Sequence, residues 1–339
     1  MRPLVLRLGG FSASFERRTV VATLGMFATA LPLVLLGLCF GAAWLTPSEV
    51  LSALAGRGDS VLVVQQWRLP RVLAALVFGA ALGLAGAIFQ NLTRNSLGSP
   101  DIIGLDAGAY TGALVVITLL NGTPAALATG SVLGGLLAAA VIYVLSQSSG
   151  LSSARMIIIG IAVNAILTAV NSWIVLRAEL DVAIAVTGWS AGSLGGVDWD
   201  EVLLPFLVLG VLAAVLVTVS RAMHQAALGD DLAVTSGVAL NRVRLVLVVV
   251  GVGCTATVTA VAGPIVFVAL AAPQIGRRLA GTSDVTLIPA ALVGAVLLLA
   301  ADLVAQMLLA PIALPVGVVT TVIGGCYLIW LLIGEMRRS

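Results

Sequence analysis

The sequence is dominated by apolar runs of about twenty residues, which is the length that an α-helix needs to cross the hydrocarbon core of a bilayer. Short polar segments separate the runs. The apolar runs are Val20–Trp44, Leu69–Phe89, Gly104–Leu120, Ala125–Leu145, Met156–Leu176, Val202–Val219, Leu245–Ala262, Pro264–Ile275, Val285–Leu309 and Pro315–Ile333. The run from Pro264 is short, and counting it gives ten spans instead of nine. The pattern predicts an all-α membrane protein with about ten transmembrane helices.

Composition supports this class, because 60% of the 339 residues are hydrophobic and only 9% are charged. An ordinary soluble domain is about one-quarter charged. All 17 basic residues other than the single His224 are arginine. A Walker-type phosphate loop requires lysine, and paired-histidine metal sites or a Ser-His-Asp triad require more histidine. We therefore expect no enzyme, no bound metal and no cofactor in this chain.

The arginines also indicate an orientation. With the N-terminus inside and ten spans, 13 arginines fall on the inner side and four on the outer side, as the positive-inside rule requires. The outer four are Arg57, Arg68, Arg71 and Arg177. The sequence thus predicts a multi-pass protein of the cytoplasmic (inner) membrane with both termini cytoplasmic, in contact with lipid and without a nucleic-acid partner.

Two polar stretches lie outside the predicted spans. The outer one runs from Arg177 to Glu201 and carries several acidic residues and two tryptophans. The inner one, at about residues 220–244, is the longest polar insert. Glycines divide it, so it is interpreted as two short helices, and composition alone leaves open whether it is an interaction surface or a solvated loop.

A few polar residues within or beside the spans are candidates for function. Asp302 lies inside a span, where a carboxylate is costly and is a functional candidate by default; a hydrogen-bonded packing role is the interpretation we favour over proton coupling. Asn164, Asn171 and Ser172 share one span and are candidates for lining a path for a polar cargo, although interhelical hydrogen bonding explains them equally well.

Arg68 and Arg71 flank Pro70 at the outer start of a span, where proline suits the first helical turn. One interpretation is that both arginines extend to lipid headgroups. The other is that they bind carboxylates on an outer partner protein.

Several longer motifs occur in a characteristic order along nearly the whole chain. They are Trp67–Leu73, Gly79–Leu82, Gly86–Gln90, Arg94–Asp101, Gly263–Pro273 and Leu314–Thr320. Together they resemble the FecCD family of ABC-transporter permeases, which import iron–siderophore chelates, haem or cobalamin. Within that family the sequence is most similar to the ferric-enterobactin type, notably in Gly86–Asp101 and Leu299–Gln306.

The resemblance implies a single permease domain over residues 1–339 with the type II importer fold of the cobalamin permease. It also implies a second homologous permease subunit, two cytoplasmic ATPase subunits that use ATP and magnesium, and an extracytoplasmic substrate-binding protein that delivers ferric siderophore. Within the inner insert, the family's coupling helices correspond to a segment that includes Leu228, Gly229, Asp230, Asp231 and Gly237. The resemblance favours docking of the binding protein at Arg68 and Arg71.

The sequence departs from the family pattern in two places. Gln274 stands where histidine often follows the proline, and Gln306 lies in a region where many members carry an outer arginine. The second departure removes one candidate contact to the binding protein, so we expect the partner permease to supply it, which favours a heterodimer. The same machinery importing cobalamin or haem is the main alternative, and an ATP-independent secondary transporter is a remote one.

Overall fold

The structure is a bundle of helices in which most apolar segments pack side by side. A computed structural model describes residues 4–8, 11–15, 17–41, 43–120, 123–146, 153–227, 229–282 and 286–336. The helices are α1 (Arg17–Cys39), α2 (Pro47–Leu54), α3 (Leu69–Thr93), α4 (Pro100–Ile103), α5 (Leu105–Leu120), α6 (Pro124–Ser146), α7 (Ser153–Arg177), α8 (Leu180–Ser190), α9 (Trp199–Ala227), α10 (Asp230–Thr235), α11 (Leu240–Ala262), α12 (Val268–Ala280), α13 (Leu287–Met307) and α14 (Val316–Met336).

Two short strands precede the first helix and depart from the expected all-α architecture. β1 (Leu4–Leu8) and β2 (Phe11–Phe15) form an antiparallel pair in which Leu4 faces Phe15 and Leu8 faces Phe11. From Arg17 onward, the described part of the chain is helical apart from its connections.

Within the described residues, seven helices are long and apolar enough to cross a membrane. They comprise α1, α6, α7, α9, α11, α13 and a continuous segment that joins a π-helical turn, Val63–Arg68, to α3. Helices α5, α8 and α14 contain shorter apolar stretches. Each of the ten predicted runs therefore corresponds to a helix, although α9 and α12 extend beyond the predicted bounds.

The interior of the bundle is built around α3, α11 and α13, whereas α1, α7 and α9 are mostly exposed. Glycines bring the backbones of α3 and α13 into direct contact. A Cβ added to Gly83 would lie 2.2 Å from Ala290 O, and one added to Gly294 would lie 2.1 Å from Gly79 O. Small residues permit such close approach where lipid gives no hydrophobic drive for helix association.

The short span expected at Pro264–Ile275 is a break followed by a buried helix. Residues 263–266 have no regular structure, and α12 then runs for 13 residues with most of its side chains buried by neighbouring helices. Phe267, at the start of α12, has φ of +70°, which is uncommon outside glycine. Its backbone N–H donates to Asp101 Oδ2 at 2.8 Å, so α4 holds this end of α12.

Candidate functional site

A cavity of about 540 Å³, lined by both polar and apolar side chains, lies between α5, α7 and α8. Its lining is Asp106, Ala107, Tyr110, Thr168, Asn171, Ser172, Val175, Leu176, Ser190 and Pro264. Two of the three predicted pathway residues, Asn171 and Ser172, are therefore brought together. The third, Asn164, lies elsewhere on α7 and packs against Gly104, where an added Cβ would be 2.6 Å from the Asn164 Cβ.

Hydrogen bonds fix the polar side chains around this cavity. The Thr111 hydroxyl donates to Asn171 Oδ1 at 2.8 Å, and Asn171 Nδ2 donates to Ala107 O at 3.3 Å. Asn171 thus joins α7 to α5, which agrees with the interpretation that it makes an interhelical hydrogen bond. The Ser172 hydroxyl donates to Thr168 O at 2.9 Å within its own helix. Both interpretations of these residues, packing and pathway lining, fit their positions.

Sequence reasoning did not single out Asp106, which lies in the first turn of α5 and lines the cavity. The residue is only 9% exposed, and its carboxylate has no hydrogen-bond partner among the described residues. One turn further on, the Tyr110 ring stacks on Trp189 of α8 with 5.7 Å between centroids. The sequence could have identified Asp106, because an acidic residue inside a predicted span is a functional candidate by default.

Arg68 lies at the end of the bundle that also carries Arg71, and its guanidinium is turned inward. It donates from Nη1 to Leu38 O and Cys39 O, both at 2.8 Å, and from Nη2 to Ala43 O at 2.6 Å. Arg68 is 9% exposed. These contacts supply hydrogen bonds to the carbonyl groups of Leu38 and Cys39 at the C-terminal end of α1, where intrahelical partners run out, and to that of Ala43 in the segment that follows. They give Arg68 a structural role that the docking prediction did not include.

Arg71 forms a bidentate ion pair with Asp302 of α13. Arg71 Nε lies 3.0 Å from Asp302 Oδ2, and Arg71 Nη2 lies 2.8 Å from Asp302 Oδ1. Gln306 Nε2, one turn along α13, donates to the same carboxylate at 2.8 Å. The favoured interpretation of Asp302, a carboxyl hydrogen-bonded to a neighbouring helix, is confirmed. Gln306, at one departure from the family pattern, belongs to this network.

The residues predicted for ATPase coupling lie at the opposite end of α3, and the insert is simpler than expected. Among the described residues between α9 and α11, α10 is the one separate short helix, because α9 continues to Ala227. Gly229 has φ of +135° and Gly237 has φ of +81°, so glycine bounds α10 on both sides. Asp230 and Asp231 occupy its first turn, while Gly229 is the N-cap. Leu228 lies outside the described residues.

Two arginines hold Asp230 in place. Arg244 Nη2 of α11 donates to both carboxylate oxygens at 2.9 Å. Arg94, which follows α3, donates from Nη2 to Asp230 and, at 2.9 Å, to Ala226 O of α9. Partial burial by itself would raise the pKa of Asp230, but hydrogen bonding and the positive charge of Arg244 and Arg94 outweigh it, and the pKa is lowered. The start of α10 is thereby tied to α3, α9 and α11.

Helix α10 exposes apolar side chains beside polar ones. Leu232 is 61% exposed and Val234 is 59% exposed, and both lie on a helix too short to enter the bilayer. Ala233 between them is fully buried. Exposed apolar side chains next to the Arg94–Asp230–Arg244 network are suited to contact with another protein.

Comparison with known proteins links these features to a transport family. A family model described as the FecCD transport family matches residues 29–334. The ferric enterobactin transport system permease protein FepG of Escherichia coli K12 is 45% identical over 96% of this chain and 99% of its own length. The vitamin B12 import system permease protein BtuC of Salmonella paratyphi A is 36% identical over 96% of this chain and 99% of its own.

A solved structure gives the same result at the level of the fold. It is described as an inward-facing conformation of a metal-chelate type ABC transporter, with a TM-score of 0.81 and 25% sequence identity. The match covers 93% of this chain and 99% of that one. Similarity therefore extends over nearly the whole chain.

Proposed function

This chain belongs to the FecCD transport family, and from that membership we propose that it is the multi-pass inner-membrane permease subunit of an ABC importer for ferric siderophores. The observation that carries the proposal is 45% identity to a ferric enterobactin permease across 96% of the chain. The likeness to a metal-chelate type ABC transporter, over 93% of the chain, supports the same machine.

The permease moves its cargo and is not an enzyme. ATP hydrolysis belongs to a separate ATPase subunit, which uses ATP and magnesium, and the absence of lysine from this chain agrees with that division. The proposed cargo is a ferric siderophore of the catecholate, enterobactin-like type. Cobalamin, the cargo in the name of the BtuC relative, and haem are the alternatives.

We propose the following assembly around the permease. A second, homologous permease forms a heterodimer with it, two ATPase subunits bind on the cytoplasmic side, and an extracytoplasmic binding protein delivers the chelate. Ten transmembrane helices with both termini cytoplasmic fit this arrangement. The ten helices are the seven long ones together with α5, α12 and α14, while α8 is a short additional helix.

We place the ATPase contact on the segment from Gly229 to Gly237, including Asp230 and Asp231 and the preceding Leu228. The exposed Leu232 and Val234 supply the apolar contact, and the bonds from Asp230 to Arg94 and Arg244 transmit movement of α10 to α3 and α11. Asn171 and Ser172 line the proposed pathway for the chelate, with Asn164 further along α7.

Docking of the binding protein at Arg68 and Arg71 remains part of the proposal. The buried contacts of Arg68 favour stabilisation of α1 as its main role, whereas the Arg71 side chain is 20% exposed and can contribute charge to the surface. Arginine is suited to such a contact because its planar group binds a carboxylate with two hydrogen bonds.

Reconstitution in proteoliposomes tests the proposed function. The two permeases, with and without the ATPase subunits, are supplied with binding protein and radiolabelled ferric siderophore. We expect accumulation that requires both ATPase and ATP and is abolished by vanadate. Accumulation without the ATPase would identify a secondary transporter instead. Parallel assays with cobalamin and haem decide between the cargo alternatives.

A further inference from the structure

Tyr110 is the one aromatic side chain among the described residues that line the cavity between α5, α7 and α8. Its ring stacks on that of Trp189 in α8, with 5.7 Å between the centroids and 16° between the planes. Its hydroxyl is hydrogen-bonded to Ser190, which in turn donates to Thr187 O at 2.8 Å. Both the plane and the tip of the tyrosine are therefore fixed before any cargo enters the cavity.

Trp189, which supports the tyrosine ring, is itself anchored to the backbone around it. Its carbonyl oxygen accepts a hydrogen bond from Gly192 N at 3.1 Å, and a Cβ added to Gly263 would lie 2.2 Å from the same oxygen. The end of α8 thus packs against the break that precedes α12. A ring that such contacts already hold loses little conformational freedom when a cargo packs on it, and this favours binding.

The rest of the lining offers little that would bind a chelate by charge. No arginine or histidine is among the described residues that line this cavity. The hydroxyl protons of Ser172 and Ser190 are already donated to backbone carbonyl groups within their own helices. Contact with a cargo therefore depends largely on apolar and aromatic surface, and Tyr110 supplies the aromatic part.

We infer that Tyr110 is a specificity-determining residue of the permease, against which an aromatic arm of the ferric siderophore packs. The inference rests on the proposed function and deepens it, because it names the residue and the cargo feature that this residue recognises. Trp189 covers one face of the tyrosine ring, so the cargo meets the other face or the edge. Aromatic rings attract each other in offset-stacked and edge-to-face arrangements by more than the area that they bury. A chelate with aliphatic arms gains no such contact.

The test uses three tripodal ligands on one scaffold. Tris-hydroxypyridinone arms are aromatic and tris-hydroxamate arms are aliphatic, and both give a neutral ferric complex, so these two complexes differ in aromatic character but not in charge. Tris-catecholate arms represent the proposed cargo. ATP-dependent uptake of each complex is measured in the complete reconstituted transporter. The binding protein is identical throughout, so its own preference cancels in the ratio of variant to wild type.

We expect Tyr110→Leu to lower the ratio of hydroxypyridinone to hydroxamate uptake by about threefold to tenfold, which is the range of one aromatic contact. The ratio of catecholate to hydroxamate uptake should fall by the same factor. Tyr110→Phe keeps the ring and should restore the wild-type ratio. Tyr143→Leu makes the same change in α6, at a residue that lines a different cavity, and should leave both ratios unchanged.

A wild-type ratio in Tyr110→Leu overturns the inference, and so does an equal fall in uptake of the aromatic and aliphatic complexes, which would make Tyr110 a packing residue. If the wild type takes up no hydroxamate complex, Tyr110→Leu is compared with Tyr110→Phe for the aromatic complexes at matched thermal midpoints, and equal uptake overturns the inference. All these outcomes leave the proposed function intact. Failure of the wild type to transport any ferric chelate with ATP overturns the proposed function, and the inference with it.

Discussion

Arg68 and Arg71 lie only three residues apart, yet they stabilise different helices. Arg68 donates to the carbonyl groups of Leu38 and Cys39 at the end of α1 and to that of Ala43 just beyond it, and Arg71 pairs with Asp302 of α13. The two arginines thereby connect the start of α3 to both of its neighbours, α1 and α13. This arrangement explains how two arginines are accommodated where the chain enters a span.

Replacing Arg68 by alanine should lower stability more than it lowers docking. Hydrogen bonds from a charged donor contribute about 1.5–3 kcal/mol each, and the carbonyl groups of Leu38, Cys39 and Ala43 each lose one hydrogen bond, so we expect a clearly lower thermal midpoint in detergent. Arg57→Ala, at an exposed residue of the same end, is the control. Association of the folded variant with the binding protein, measured at two salt concentrations, completes the test. A wild-type midpoint with strongly weakened docking would restore the docking role of Arg68.

The pair between Arg71 and Asp302 should show strong coupling in a double-mutant cycle. Removing one partner of a buried pair leaves an uncompensated charge and costs about 3–5 kcal/mol, whereas replacing both by apolar residues is often neutral. We therefore expect Arg71→Met and Asp302→Leu each to destabilise the permease and the double variant to recover most of the loss. Transport by the double variant is the decisive control. A stable double variant without transport would show that the pair does more than pack, either through docking by Arg71 or through proton coupling by Asp302.

Residue types alone predicted part of this arrangement. An acidic residue inside a span requires a partner, and the packing role of Asp302 followed from that rule. The identity of the partner did not, because Arg71 lies 231 positions away in the sequence. The buried contacts of Arg68 were not predicted for a related reason: the carbonyl groups that accept its hydrogen bonds become its neighbours only when α1 packs beside α3. Asp106 was overlooked although the rule that singled out Asp302 applied to it as well.

At the scale of elements, the contact between α3 and α13 depends on glycine. Gly83→Ala would place a methyl group 2.2 Å from Ala290 O, so the two helices must separate. Overpacking of this kind typically costs about 1–3 kcal/mol, and we expect lower yield and a lower thermal midpoint. Gly210→Ala in α9, where no atom lies within 4 Å of the added methyl group, should be neutral. Equal effects of the two substitutions would mean that the close approach is not what requires glycine.

The exposed face of α10 should be required for coupling but not for folding. Leu232→Asp places a charge on the proposed ATPase contact, so we expect several-fold weaker ATPase association and stimulated hydrolysis, with normal membrane insertion. Leu62→Asp makes the same change at a residue that is 58% exposed near the Arg71 end. The ATPase should bind that control as it binds the wild type. Wild-type association of Leu232→Asp would make α10 a surface loop without a partner.

The sequence predicted the long elements well and the short ones poorly. Each of the ten apolar runs became a helix, because about twenty apolar residues allow few alternatives in a bilayer. Helix α8 was not predicted, since its 11 residues lie in a stretch judged polar from its acidic flanks. The inner insert was expected to hold two short helices, but α9 simply continues through its first part. The β1–β2 hairpin is too short to show a pattern of its own.

At the scale of the whole molecule, the motifs predicted the family better than the physics of the chain did. Hydropathy required a bundle of spanning helices, whereas the importer function came from the order of the motifs and was supported by the comparisons. Neither hydropathy nor the motifs could predict the cavity beside Asp106, because it forms where α5, α7 and α8 meet and each helix contributes only a few residues. Sites made by several helices leave little trace in any single segment.

The last prediction concerns the path of the chain through the membrane. Thirteen of the 17 arginines fall inside if there are ten crossings that begin in the cytoplasm, and both termini are then cytoplasmic. The number of membrane crossings depends on α12, whose 13 residues would span only about 20 Å at 1.5 Å per residue. If α12 completes a crossing, the unstructured residues 263–266 before it supply the remaining depth.

Thiol labelling with a membrane-impermeant reagent decides the question in a cysteine-free background. Asp59→Cys should be labelled from outside and Ser236→Cys should be protected in intact cells, and both outcomes hold for nine or ten crossings because these residues precede α12. A cysteine appended after Ser339 distinguishes the two counts. We expect it to be protected, like Ser236→Cys, because α12 returns the chain to the cytoplasm. Labelling from outside would mean nine crossings, and α12 would then be a buried helix that enters and leaves the membrane on one side.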